Sequence, residues 1–493
     1  MLKSGQDYLE GLRDGRKVYI GSELVEDVTE HPAFRNAART FAKLYDNKRL
    51  PENIDVMSYE EDGERHSTWY LQPKSRADLE KRMETHRRIA QWSHGLVGRS
   101  PDHVSSFVAG LAMRPDLFDS VRKGFGDNMV NYYKFMRDND ICATYTVLPP
   151  QGARKPELYQ REGLKIPTLR VVEERDDGIV INGMKMLGTS AVFADETWIG
   201  NILPLGPDQV KESVTCAVPV SAPGVSLWAR KPFEKYAVSE FDNPLAYRYD
   251  ETDSMAIFEN VFVPWERVFT MDDVSMSREI YMRAPAHAMG NHQSNIRFWE
   301  KLKLIIGMAN RVAEMNSIRH IPQVQGTLGM LAAKLSGLEA MIHGQVQNFE
   351  QDYAPGFVNI NRRYMYAALH WCTTNHSDIC ETVSELLGGG PFQFPADISV
   401  VKDPHLKETF ETYWSIPGSD AVERMKTLKL AWDLLGSDFA GRHMQYERFY
   451  AGPSFIVTNY SFLNAEWDEW EGVVDEILGS YDAPVPETAA AAE

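Results

Sequence analysis

Four cysteines in 493 residues (Cys142, Cys216, Cys372, Cys380), none in a CxxC pair, leave little material for a disulfide framework. They read as free thiols of a protein in a reducing cytosol, and neither a metal nor an iron–sulfur centre is expected. No uninterrupted apolar run approaches the ~20 residues that a bilayer span needs. The first residues, Met1-Leu2-Lys3-Ser4-Gly5-Gln6-Asp7, lack the apolar core of a secretion signal. The expectation is a cytoplasmic protein with no membrane segment. Positive charge is also scarce: 52 Lys and Arg against 70 Asp and Glu give a formal charge of −18. A nucleic-acid-binding face, which must be basic, is therefore not expected. No GxGxxG sits where a strand turns into a helix, so a βαβ dinucleotide fold and an NAD(P)H module of the chain's own are not expected either. Internal repeats are absent.

What remains is an ordinary globular composition, 43% hydrophobic and 25% charged, long enough for two or three domains. Residues 1–145 read as mostly helical after a hairpin-like start at Lys17-Val18-Tyr19-Ile20-Gly21. Residues 75–93 and 115–137 carry apolar residues at three-to-four spacing. The grammar then changes. Within residues 146–275, short β-branched runs alternate with turn signals, and Asp176-Asp177-Gly178 lies between two such runs as a hairpin turn. From 276 to 480 long helices return, with Phe298, Leu302, Ile305, Ala309 and Val312 on one face. Residues 481–493 are Pro/Ala-rich and expected to be a disordered tail. Gly388-Gly389-Gly390, with no strand before it, reads as a loop or helix break.

The odd segment is Gly436-Ser437-Asp438-Phe439-Ala440-Gly441-Arg442-His443. Glycine inside a helix costs about 1 kcal/mol against alanine, so two beside a cation suggest a ligand in close approach, and a plain turn between helices is the other reading. Gly98-Arg99-Ser100-Pro101-Asp102-His103 places an arginine in a turn ahead of a helix; a surface pair with Asp102 is its bland alternative.

These segments, with Gly15-Arg16-Lys17-Val18-Tyr19, residues 25–35 and 183–191, Val263-Pro264-Trp265-Glu266-Arg267-Val268 and Leu430-Ala431-Trp432, resemble the 4-hydroxyphenylacetate 3-hydroxylase family. The resemblance covers residues ~10 to ~455 of the chain. It implies an α+β, mostly α, acyl-CoA dehydrogenase-like fold: an N-terminal helical domain, a central β-barrel and a C-terminal helical bundle. It also implies the oxygenase component of a two-component monooxygenase. Such an enzyme takes FAD as FADH2 from a separate NAD(P)H:flavin reductase and hydroxylates a small aromatic substrate with O2 through a flavin C4a-hydroperoxide. A homotetramer is the family expectation.

Residue by residue, the resemblance puts Arg99 and His103 at the phenolic end of the substrate, where together with Tyr145 they would hold and deprotonate the phenol. The family commonly has tyrosine at 103 and histidine at 145, so the two types are exchanged here; either can hydrogen-bond a phenolic oxygen. His292 matches a histidine near flavin and substrate in relatives that oxidise chlorinated phenols or nitrophenols. Gln151, Arg154 and Lys155 would lie against the flavin and its pyrophosphate, with solvated surface charge the competing account of Lys155. Thr189 and Ser190 would donate to the isoalloxazine edge. Ser437, Asp438, Phe439 and Arg442 would supply further cofactor contacts, Arg442 directly or through a neighbouring subunit. The alternative within the fold is an acyl-CoA dehydrogenase or dehydratase-type flavoenzyme. The former would need a carboxylate over the flavin, and the latter cysteines this chain does not place. A catalytically silent helical scaffold is the alternative of another class.

Overall fold

The computed structural model describes residues 2–153 and 155–481. The expected tail, apart from Tyr481, lies outside them, as does Arg154. Three-to-four periodicity becomes helix where it was read: Arg76–Trp92 starts at Ser75, whose side chain accepts from the Asp78 amide. One expected helix is in fact two. Residues 115–137 form Pro115–Asp119 and Phe125–Asp138, because Gly124 between them adopts a left-handed φ of 96°.

Among the described residues the strands build a six-stranded and a four-stranded sheet, besides two separate two-stranded pairs, and the expected central β-barrel takes the form of the two larger sheets without closing. The larger runs Glu23–Val25, Val18–Ile20, Val225–Ala229, Asp253–Pro264, Gly178–Thr189, Arg170–Arg175. The smaller runs Val268–Thr270, Thr215–Pro219, Glu196–Ile199, Ala143–Thr146. Closure would require the outer strands of a sheet to pair, and the larger sheet ends in a three-residue strand at one edge and the charged Arg170–Arg175 at the other. Its two longest strands, Gly178–Thr189 and Asp253–Pro264, pair antiparallel through two register shifts. Both sheets recruit strands from the first 145 residues: Val18 pairs with Leu227, and Tyr145 with Trp198.

The C-terminal helices pack around Ala286–Met315. The stripe read from the sequence, Phe298, Leu302, Ile305, Ala309 and Val312, is buried as expected, each large side chain contributing about 1.5–3 kcal/mol. The first half of this helix is buried on all sides although it carries His287, Asn291, His292, Gln293, Asn295, Arg297 and Lys301. Buried polar groups need partners, and theirs lie mainly on the helices Pro101–Ala112, Pro322–Gln347, Arg362–Leu387 and Asp438–Phe449. Among the described residues no helix is long and apolar enough to cross a membrane.

Candidate active site

The helix Pro101–Ala112 is buried at every residue and begins with proline, whose missing amide is no loss in the first turn. Arg99 sits just ahead of it, 7% exposed. Its guanidinium lies 2.8 Å from His103 Nε2 and donates to Tyr145 Oη at 2.9 Å and to the Tyr450 carbonyl at 3.3 Å. It also stacks 4.0 Å above the Tyr450 ring. The His103 and Tyr145 rings stack at 5.4 Å. Arg99, His103 and Tyr145 thus meet, although 46 residues separate the outer two.

A guanidinium only donates, so His103 Nε2 accepts and the proton sits on Nδ1. That Nδ1 is buried with no partner among the described residues, as is the Tyr446 hydroxyl. Burial first, then the charge of Arg99, holds His103 well below the usual histidine range, so the ring stays neutral. Tyr446 presses against Gly98: a Cβ at residue 98 would lie 2.1 Å from its hydroxyl oxygen.

A carboxylate pair backs this site. Glu251 Oε2 accepts from the amides of Gly98 and Arg99, each at 2.9 Å, and from Ser190 Oγ at 3.2 Å. Its other oxygen accepts from Arg442 at 2.8 Å. Asp253 accepts from Thr189 Oγ1 at 2.7 Å, Arg230 at 2.9 Å and Arg442 at 2.9 and 2.7 Å. Thr189, Ser190 and Arg442, expected at the cofactor, therefore stand together, with these side chains engaged by two carboxylates. Ser190 and Thr252 are both left-handed, at φ 60° and 39°. Strain of this kind persists where surrounding bonds over-determine it.

The other expected residues are more dispersed. His292 is held by Gln345 at 2.7 Å, 6.3 Å from the ring of His86, and burial pushes it down to about 3. It belongs to a neighbouring polar cluster in which Asp102 accepts from His86 Nδ1 at 2.7 Å and Gln293 at 3.3 Å. Gln151 and Lys155 are exposed on the loop after Ala143–Thr146. Gly436–His443 is a junction of two helices. Gly436 ends Ala421–Leu435, and Ser437 caps Asp438–Phe449 by accepting from Ala440 at 3.2 Å. Asp438 pairs in solvent with Lys231, Phe439 is buried against Phe233 and His443, and Gly441 has open space beside it.

Four residues of this site escaped sequence reading: Glu251, Asp253, Tyr446 and Tyr450. Signals existed for the two tyrosines. Residues 442, 446 and 450 are spaced to share one helical face, whereas Glu251 and Asp253 flank a left-handed turn at Thr252 that no local pattern announces.

This arrangement of helices, sheets and helical bundle is the acyl-CoA dehydrogenase-like fold that the resemblance implies, and solved structures of that fold superpose on it. Residues 4–270 match the family model "4-hydroxyphenylacetate 3-hydroxylase N terminal", and 277–479 match "4-hydroxyphenylacetate 3-hydroxylase C terminal". The chain belongs to this family. It is 29% identical over 485 residues to the 4-hydroxyphenylacetate 3-monooxygenase oxygenase component of Geobacillus sp. (strain PA-9), covering 97% of this chain and 96% of the relative. It is likewise 29% identical to the 4-nitrophenol 2-monooxygenase oxygenase component of Rhodococcus sp., covering 97% and 93%. A crystal structure of a 4-hydroxyphenylacetate 3-monooxygenase oxygenase component complexed with FAD and 4-hydroxyphenylacetate superposes with a TM-score of 0.90 at 29% identity, covering 97% and 98%.

Proposed function

We propose that this chain is the oxygenase component of a two-component flavin-dependent monooxygenase. It hydroxylates a phenol next to its hydroxyl group, using O2 and FADH2 supplied by a separate reductase. The observation that carries the reading is the buried set of Arg99, His103 and Tyr145, which suits one aromatic oxyanion.

Reduced FAD, when bound, supplies the activation of O2 and the oxygen atom delivered to the ring. The chain's residues prepare the acceptor. Arg99 offers a fixed positive charge that favours phenolate over phenol. His103, with Nε2 accepting from Arg99, has Nδ1–H left to donate, so it holds the phenolate rather than acting as its base. Tyr145 accepts from Arg99 through its oxygen and keeps its own proton to donate. Ionisation pushes electron density onto the ortho carbons, where an electrophilic oxygen attacks. Burial of Arg99 and His103 keeps water from competing.

The residues fit a flavin as well. The Tyr446 hydroxyl, buried without a partner among the described residues, awaits a polar contact beside the Arg99 cation. Gln151 and Lys155 offer exposed donors suited to a pyrophosphate. Thr189 and Ser190 would line the ring edge, Ser437, Asp438 and Phe439 would carry the adjoining helix, and Arg442 would fix that wall through Glu251 and Asp253. His292 would act from the polar cluster behind Asp102. The same reading makes the protein a cytoplasmic homotetramer. An exposed apolar stripe on Trp467–Leu478, including Trp470, Val474 and Ile477, supports contact with further copies, and light scattering measures their number.

Purified protein mixed with FAD, NADH, an unrelated flavin reductase and isotopically labelled O2 tests the activity on para-substituted phenols, among them 4-hydroxyphenylacetate and 4-nitrophenol. The expected product carries one labelled oxygen and forms only when the reductase is present. Bound FADH2 with no labelled product from any phenol refutes the proposal.

A further inference from the structure

The Glu251-Thr252-Asp253 turn joins all three parts of the chain, yet its two carboxylates do different work. Glu251 alone reaches the N-terminal part, where one oxygen takes the adjacent amides of Gly98 and Arg99 at 2.9 Å each. Those amides point one way from the backbone that carries the Arg99 side chain, so the carboxylate fixes where the guanidinium starts. From the opposite side, the Tyr450 hydroxyl donates to the Gly98 carbonyl at 3.0 Å. The peptide is thus pinned on both faces. Glu251 is 1% exposed, so water does not replace it. Asp253 contacts neither residue; its partners are Thr189, Arg230 and Arg442.

We propose that Glu251 is a positioning residue that sets Arg99 for the aromatic oxyanion, while Asp253, two residues on, organises only the wall formed by Thr189 and Arg442. The inference rests on the reading of the site as phenol-binding. Charge is the working property: two amide N–H groups and one guanidinium converge on Glu251, and an amide side chain of the same shape would turn an N–H toward one of these donors. The strained left-handed backbone at Ser190 and Thr252 is held by the same turn, because the Ser190 amide donates to the carbonyls of both Glu251 and Thr252. Arg99 is therefore registered against the central sheet through Glu251, and the two sides of the site move as one.

Two variants, Glu251→Gln and Asp253→Asn, separate the roles. Hydrogen exchange read by mass spectrometry tests the geometry without reference to activity. Glu251→Gln should speed exchange of the Gly98 and Arg99 amides by about tenfold or more, and Asp253→Asn should leave it unchanged. Binding of 4-nitrophenol, whose ionised form is yellow, tests the function. Wild type should bind it as the ion. Glu251→Gln should weaken binding by about tenfold and lose the yellow shift, whereas Asp253→Asn should retain both and lower FAD affinity instead. Glu234→Gln controls for general loss of stability, since that carboxylate caps the remote helix Arg35–Lys48 through the Asn36 and Ala37 amides. Unchanged exchange in Glu251→Gln, or equal effects of both variants on phenol binding, overturns the proposal. Failure of wild type to bind any phenol, with the exchange result intact, refutes the phenol reading and leaves Glu251 with a purely structural part.

Discussion

Arg99→Lys is the sharpest perturbation of the site, because it keeps the charge and removes the fork. The guanidinium meets His103 Nε2 at 2.8 Å and Tyr145 Oη at 2.9 Å through two different nitrogens. A lysine ammonium is one point on a flexible stem and cannot reach both acceptors while facing a third group. One buried acceptor then goes unpaired, and hydrogen bonds to a charged group are worth about 1.5–3 kcal/mol. At about 1.4 kcal/mol per factor of ten, the affinity for an ionised phenol should fall roughly 10- to 150-fold. His103 should also change. It loses the fixed donor that sets its tautomer, so either ring nitrogen can carry the proton, while burial and the retained positive charge still hold the ring neutral. The assay is absorbance titration of the protein with 4-nitrophenol across pH, alongside the ratio of hydroxylated product to hydrogen peroxide released. Wild type should hold the phenol as the ion, with no histidine titration between about pH 6 and 7. Arg99→Lys should bind more weakly, and more of its FADH2 should be spent on peroxide. A Kd within twofold of wild type, with unchanged product yield, would refute the reasoning about the fork.

Gly290→Ala should distort the same site from behind. A Cβ there would lie 1.9 Å from a ring carbon of Phe107, which stacks on Tyr145 at 5.7 Å. Overpacking costs about 1–3 kcal/mol, so both the thermal midpoint and phenol affinity should drop. Glu447→Gln breaks a buried ion triad with Arg297 at 2.6 Å and Lys301 at 2.8 Å and should cost about 3–5 kcal/mol in unfolding experiments. Burial alone would raise the Glu447 carboxyl, but Arg297 and Lys301 outweigh it and hold it well below the carboxylate range. Its contribution is accordingly full above the unfolded value of about 4.3 and disappears as pH falls toward the folded one. The wild-type advantage over Glu447→Gln should therefore shrink below about pH 4, and an advantage that grows on acidification would contradict the sign. All four cysteines are buried, and burial pushes the Cys216 and Cys380 thiols up to about 12 and raises those of Cys142 and Cys372 as well. A thiol reagent should find none of them in the native protein and four after denaturation; fast native labelling of any one would show that its burial is not maintained.

Periodicity sufficed for most elements. The stripe from Phe298 to Val312 was legible because an amphipathic helix writes its buried face at fixed spacing, and Asp176-Asp177-Gly178 was legible because a tight turn demands particular residues. The split of residues 115–137 was missed because apolar spacing continues across Gly124, and only its positive φ shows the break. The central β-barrel was expected from family likeness, whereas its strand order is a long-range property: Val18 pairs with Leu227, two hundred residues away.

The site divides the same way. Arg99, His103 and Tyr145 could be chosen from sequence because their segments carry the family's pattern, and the exchange of histidine and tyrosine types was visible there. Their contact required the fold, since a strand of the smaller sheet must present Tyr145 to the turn before Pro101–Ala112. Gly436–His443 looked like a ligand wall, and its composition also suits what it forms, a Gly-Ser joint between two helices. Glu251, Asp253 and the triad of Arg297, Lys301 and Glu447 had no local signature at all. A carboxylate in a sequence is by default solvated, and nothing within a few residues tells it apart from one that is buried. What makes these different is desolvation together with partners brought from some 150 residues away or more. By itself, the sequence determined the family, the order of helical and sheet segments, and the candidacy of Arg99, His103 and Tyr145. The tertiary structure decided which charges are buried and which donors they hold, because burial and pairing depend on distance in space.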